Sequence, residues 1–94
     1  MENKYLVRNP EAVFRIIEGE AVILTLHDNK MHILNLTGTK IWELTAQPID
    51  IDEVVIELCN NFEVSRKKAR KDAIKFISHL LNKKILKLAN NAQN

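Results

Sequence analysis

The first third of the chain carries apolar and polar positions in the period-two pattern of β-strands with one buried face. Branched and aromatic side chains dominate residues 13–18, and the alternation is clear in residues 21–27 and 31–35. Gly19, between two glutamates, and the pair Asp28–Asn29 are turn signals between these segments. The pattern predicts a three-stranded antiparallel meander in the order 1-2-3, in which the third strand is an edge.

After Asn35 the apolar positions recur with the 3.6-residue period of helices. A polar capping residue precedes each of three such segments. We predict helices over residues 39–46, 50–62 and 65–83, opened by Thr37, by Asp50 with Glu53 as a capping box, and by Ser65. Three strands followed by three helices, with a tight turn between the last two, indicate an α+β domain of winged-helix type.

The two ends of the chain have weaker patterns. Residues 1–8 show no sustained period, so we expect a loose arm that ends at Asn9–Pro10. Ile85, Leu86 and Leu88 suit a last extended segment packed on the domain, and residues 89–94 form a polar tail that we expect to be disordered. The expectation is one domain over residues 1–94 with an ordered core of about 11–88.

Size and composition exclude several classes of function. With 94 residues there is room for one domain, and the longest apolar run, residues 21–26, is far short of the ~20 residues that span a bilayer. The N-terminus lacks a signal-peptide pattern, so we expect a cytoplasmic protein without a membrane partner. Two glycines leave no phosphate-binding or dinucleotide-binding loop. A small binding module is favoured over an enzyme.

The titratable side chains do not assemble into a catalytic or metal site. His27 and His32 flank the second turn and could approach each other, but two imidazoles are too few for a metal site. The single cysteine, Cys59, lies on the apolar stripe of the second helix and is expected to be an inert buried thiol. We therefore predict no catalytic residue, no bound metal and no cofactor.

Charge is unevenly distributed along the chain, although the net charge is only +2. Residues 1–63 contain five basic and eleven acidic groups, whereas residues 64–94 contain nine basic groups and one acid, Asp72. Six of the nine basic groups lie between Arg66 and Lys75, on the third predicted helix. This asymmetry indicates an anionic partner such as nucleic acid, an acidic peptide or a membrane surface; a solvated helix face that balances the acidic half explains it equally well.

The third predicted strand offers unpaired backbone groups along its outer side, and no proline interrupts the chain from Lys30 to Pro48. Such an edge can be an ordinary sheet edge or a docking site for an extended peptide.

Three blocks of this sequence resemble the PqqD family. Residues 34–44, LNLTGTKIWEL, resemble its LN-x-T/S-G-x-x-I-W-x-L stretch, and residues 72–81, DAIKFISHLL, resemble its D-V-x-x-F-L-x-x-L run. Val54 and Leu58 stand at the positions of its I-x-x-x-L helix. Ala46–Gln47 replaces the usual Asp-Gly, and Lys84 replaces a glycine, which implies a helix end that frays more easily.

The resemblance implies a non-catalytic recognition element for ribosomally synthesised precursor peptides. Such domains bind the leader segment as a strand added to the third strand, against the third helix, and present it to a modifying enzyme, often a radical SAM protein. For this sequence, the resemblance implies that the leader forms hydrogen bonds with backbone groups of the third strand. Acidic and apolar residues of the leader are expected to contact the basic third helix. The expected peptide-binding residues are Met31, His32, Ile33, Leu34, Arg66, Lys67, Arg70, Lys71, Ile74 and Ile77.

The residues alone leave a second hypothesis open. A basic helix after a tight turn is also the pattern of a DNA recognition helix, although the acidic N-terminal half would repel phosphates. The sequence does not identify the precursor peptide or the modifying enzyme, does not say which rim of the third helix faces the groove, and leaves the oligomeric state open.

Overall fold

A computed structural model describes residues 4–90 of the chain. It contains five strands and three helices over these residues. In chain order they are β1 (Tyr5–Arg8), β2 (Ala12–Ile17), β3 (Glu20–Thr25), β4 (Lys30–Ile33), α1 (Leu36–Leu44), α2 (Ile51–Asn61), α3 (Arg66–Asn82) and β5 (Leu86–Ala89).

The predicted meander is present as an antiparallel sheet in the order β2-β3-β4. Residues 21, 23 and 25 of the central strand β3 are buried on the face that α1 contacts, whereas residues 22 and 24 are only half-buried on the opposite face. The third predicted strand of the sequence is β4, and it lies at an edge of the sheet as expected. The α+β arrangement predicted from the sequence is confirmed.

The helices follow the predicted caps with one exception. The side chain of Asp50 accepts a hydrogen bond from the backbone N–H of Glu53 at 2.8 Å, and Ser65 accepts from Lys68 at 3.1 Å. The first helix instead begins at Leu36, because Asn35 is its N-cap and accepts from the N–H of Gly38 at 2.9 Å. The predicted cap at Thr37 was therefore wrong by two residues.

The ends of the described chain form a second sheet that the sequence pattern did not predict. Strand β1 pairs with β5 in antiparallel register, with Tyr5 opposite Ala89 and Arg8 opposite Leu86. The expected loose arm is thus a strand in its last four residues, and the expected ordered core of 11–88 omits both β1 and the buried Ala89. The rest of the predicted tail, residues 91–94, lies outside the described residues.

One core joins both sheets to the helices, and Trp42 at its centre is completely buried. The guanidinium of Arg8 stacks 4.1 Å from the Trp42 ring and 4.8 Å from the Phe14 ring, and it donates to the Trp42 carbonyl at 2.7 Å. Burial lowers the pKa of Arg8. This stacking links β1 and β2 to α1.

Across residues 4–90, no helix is long and apolar enough to cross a membrane. Within the same range, no three His, Cys, Asp or Glu side chains are grouped to hold a metal ion.

Candidate functional site

The edge strand β4 presents backbone hydrogen-bonding groups on its open side. Leu34 donates its N–H to the carbonyl of Ala21 at 2.9 Å, and His32 stands opposite Ile23 two residues earlier in the register. Because hydrogen-bonded and non-hydrogen-bonded pairs alternate in an antiparallel ladder, His32 and Leu34 direct their backbone groups towards β3. Met31 and Ile33 therefore direct their N–H and C=O groups away from the sheet.

A buried threonine fixes the end of this edge. The hydroxyl of Thr39 accepts a hydrogen bond from the N–H of Ala21 at 2.9 Å and donates to the carbonyl of Leu34 at 3.2 Å. It thus bridges the two groups that a regular ladder would join directly. Since Thr39 lies in α1 and is 4% exposed, this bridge attaches the edge strand to the first helix.

A groove of about 650 Å³ lies beside the first turn of α1, lined by Thr37 and by one rim of α3. The α3 residues in it are Asp72, Lys75, Phe76 and His79, which share one side of the helix because they are three or four positions apart. A methyl group at Gly38 would come within 2.9 Å of the Phe76 ring. Glycine at this position lets α1 approach Phe76 closely.

The groove has mixed charge. Lys68 and Asp72 form an ion pair at 3.3 Å along α3, and Lys75 and His79 add basic groups beside the half-buried Phe76 ring. Burial lowers the pKa of His32 on β4, and the charges of Lys83 and His79 lower it further against the opposing effect of Asp28. His79 and the C-cap residue Lys83, at the C-terminal end of α3, are thus close enough to the edge strand for their charges to act on His32.

The four β4-region residues predicted to bind peptide have different surroundings. Met31 and Ile33 are 68% and 67% exposed, with the outward backbone groups described above. The ring of His32 is half-buried, with Nε2 3.2 Å from the hydroxyl of Thr25. Leu34 is 5% exposed and belongs to the core, so its side chain is not available on the surface.

The predicted residues of α3 are spread around the helix. Lys67 and Lys71 line a second depression of about 290 Å³ near its N-terminus, and Arg66 is exposed. Arg70 forms an ion pair with Asp52 of α2, which puts the rim with Arg70 and Ile74 on the α2 side of the helix. Ile77 is only 2% exposed and packs in the core, so the structure contradicts a surface role for its side chain.

The sequence interpretation missed the residues that line the larger groove. The spacing of residues 72, 75, 76 and 79 places them on one rim, and this signal is visible on a helical wheel. A helical wheel does not show that α1 packs against α3. This packing decides that the rim with Asp72 and Phe76, and not the rim with Arg70, borders the groove.

The overall fold is similar to that of two solved structures. Among curated protein sequences, none matches the chain. The structure of TbiB1 in complex with the TbiA(beta) leader peptide is similar, with 27% identity, a TM-score of 0.81, and coverage of 86% of this chain and 94% of that one. The structure of lasso peptide synthetase B1 complexed with the leader peptide is 19% identical, with a TM-score of 0.75 and coverage of 87% and 96%; it supports the fold alone.

The family model for coenzyme PQQ synthesis protein D (PqqD) matches residues 20–86, about seven tenths of the chain. The match includes the central strand β3, the edge strand β4 and all three helices, and so contains both parts of the candidate site. The chain belongs to the PqqD family.

Proposed function

We propose that this protein binds the leader segment of a ribosomally synthesised precursor peptide as an additional strand on β4. The observation that carries the proposal is the open edge at Met31 and Ile33 together with the aromatic-walled groove at the start of α1, the helix that follows β4 in the chain. An extended peptide needs both backbone partners and a side-chain pocket. Family membership and the likeness to TbiB1, solved with a leader peptide, support the same function.

The backbone contacts alone are too weak for a specific complex. Two outward residues offer two N–H and two C=O groups, and at about 1 kcal/mol net for each hydrogen bond they contribute about 4 kcal/mol, which corresponds to a Kd near 1 mM. A leader side chain must therefore fill the groove. Beside the Phe76 ring the favoured anchor is apolar or aromatic, and Lys75 with His79 favours an acidic group next to it.

In this proposal the protein contributes binding and orientation, and the chemistry is performed by a separate modifying enzyme, of which a radical SAM protein is one candidate. Holding the leader in one extended conformation removes its conformational freedom before the enzyme engages it. The site works in the cytoplasm, where precursor peptides are synthesised.

Proline substitutions along β4 test the docking edge, because proline removes one N–H donor. Met31→Pro and Ile33→Pro remove outward donors, so the fold should be retained while affinity for the leader falls about tenfold or more. His32→Pro removes a donor to β3 and should unfold the domain. The measurements are circular dichroism melting and anisotropy titration of labelled leader peptides made from short open reading frames next to the gene for this protein.

The matched control is Ile16→Pro on β2, the opposite edge of the same sheet. The N–H of Leu26 donates to the carbonyl of Glu11, so Glu11 directs its backbone groups towards β3. Because this direction alternates from residue to residue, the N–H of Ile16 points away from β3 and out of the sheet. This variant should bind the leader as tightly as the parent does. Folded Met31→Pro and Ile33→Pro proteins with parental affinity would show that the peptide docks elsewhere.

A further inference from the structure

Gly38 is buried in the first turn of α1, beside the groove, and its backbone conformation does not require glycine. Of the two glycines in the chain, Gly19 has a positive φ and Gly38 does not. The N–H of Gly38 donates to the N-cap side chain of Asn35 at 2.9 Å, a bond that any residue except proline can make. Since glycine is also a poor helix former compared with alanine, the reason for glycine here lies in the missing side chain.

A methyl group at this position would collide with the ring of Phe76. It would lie 2.9 Å from Cε1 of that ring, 3.2 Å from Cβ of Leu34 and 3.4 Å from Oδ1 of Asn35. Ordinary contacts between carbon atoms are about 3.5–4.0 Å long, so the ring would have to move by at least about 0.5 Å. Leu34 is held in the core and Asn35 by its capping bond, whereas the Phe76 side chain is only half-buried. The ring is therefore the group that yields.

A ring pushed away from Gly38 has room only on the side of the groove. Phe76 packs against the core on its other side, and protein interiors are close-packed. The open space at its surface is the groove of about 650 Å³, which it lines together with Thr37 and His79. The ring would move into this space and narrow it. Glycine at position 38 thus keeps the groove wide at its aromatic wall.

We propose that Gly38 is a positioning residue of the groove, and that the width it maintains selects a leader anchor with a large apolar side chain, at least the size of leucine. The inference rests on the proposed function. A large side chain covers the half-buried Phe76 ring and fills the space that a side chain at position 38 would remove. A small anchor would leave both the ring and this space in contact with water.

Alanine at position 38 tests the proposal with leader peptides made from short open reading frames next to the gene. Alanine scanning of a peptide that binds the parent first identifies the anchor as the apolar residue whose replacement raises the Kd most, and this residue should be leucine or larger. Gly38→Ala should then raise the Kd of the native peptide at least about fivefold. For the peptide with alanine at the anchor, the same substitution should change the Kd less than about twofold, because a small side chain does not need the lost space.

A second background separates a change in the groove from a change in α1 itself. Leucine has no atom at the position of Cε1, so the clash is absent in Phe76→Leu. Gly38→Ala/Phe76→Leu should therefore bind the native peptide within about twofold of Phe76→Leu alone, whereas an effect of alanine on α1 or on its cap would be the same in both backgrounds. Circular dichroism melting checks that each variant is folded.

If Gly38→Ala alone does not fold, the double variant should fold, since the colliding atom is absent, and its comparison with Phe76→Leu still applies. Three results would overturn the inference and leave the proposed function intact: parental affinity of Gly38→Ala for the native peptide, an equal loss in both backgrounds, or an anchor smaller than leucine. A double variant that also fails to fold contradicts the inference as well. A parent protein that binds none of the peptides contradicts the proposed function itself.

Discussion

At the scale of single residues, the end of α3 explains one departure from the family pattern. Lys84 has a φ of +61° and donates to the Leu81 carbonyl at 3.1 Å, while Ile85 donates to the Leu80 carbonyl at 2.9 Å. This pair of bonds is the Schellman motif, whose left-handed position usually holds glycine. The resemblance implied an end that frays more easily; the structure shows the motif formed with a lysine in the strained position, and whether it frays stays a prediction.

We therefore expect Lys84→Gly to raise the free energy of unfolding by about 0.5–1 kcal/mol, because glycine adopts positive φ without a steric penalty. Lys83→Gly is the control: Lys83 has a φ of −84°, so glycine there adds only backbone freedom and should not stabilise the domain. Urea denaturation of both variants measures the difference. A Lys84→Gly protein no more stable than the parent would contradict this account of the helix end.

At the scale of elements, the sequence predicted the features that depend on residues close together in the chain. The meander strands, the caps at Asp50 and Ser65 and the open edge all follow from spacing within a few residues. Strand β1 was missed because its pairing partner, β5, lies some eighty residues away and its four residues carry no complete period. The groove-lining rim of α3 was missed for a similar reason, since the contact of Gly38 with Phe76 and the ion pair of Arg70 with Asp52 join separate elements.

Two leucines that stand opposite each other in the β1–β5 sheet should differ in how much each stabilises the fold. Leu6 is fully buried and Leu88 is 48% exposed, although the two are register partners. Leu6→Ala should lower the free energy of unfolding by about 2–5 kcal/mol, as for other fully buried leucines, and Leu88→Ala by well under half as much. Chemical denaturation gives both values. Equal effects would mean that β1 is not packed as described.

At the scale of the whole molecule, part of the uneven charge is balanced within the fold, since two of the six Lys and Arg side chains of α3 form ion pairs. The acidic α2 packs against the basic α3, where Arg70 pairs with Asp52, and Lys68 pairs with Asp72 within α3 itself. The basic helix is therefore only partly available to an external anion. This internal pairing favours the solvated-face interpretation over a DNA recognition helix.

Salt dependence distinguishes these interpretations. Backbone hydrogen bonds and an apolar anchor carry little charge, so leader affinity should fall only a few-fold between ~50 and ~200 mM salt. A duplex DNA complex with six phosphate contacts would lose about a thousandfold over that range. Anisotropy titrations of a labelled leader and a labelled duplex compare the two. Tight, steeply salt-dependent binding to DNA together with no binding to the leader would exclude the peptide function.

The pairing of β1 with β5 also determines how this domain can be combined with others. Tyr5 and Ala89 face each other across an antiparallel ladder, where opposite Cα atoms are about 5 Å apart. A host chain can therefore enter through β1 and leave through β5 with almost no separation, so that a surface loop of a larger enzyme can accept the domain without a long linker. The same adjacency suits circular permutation, with a short bridge across residues 5 and 89 and new termini in the exposed loop after β3.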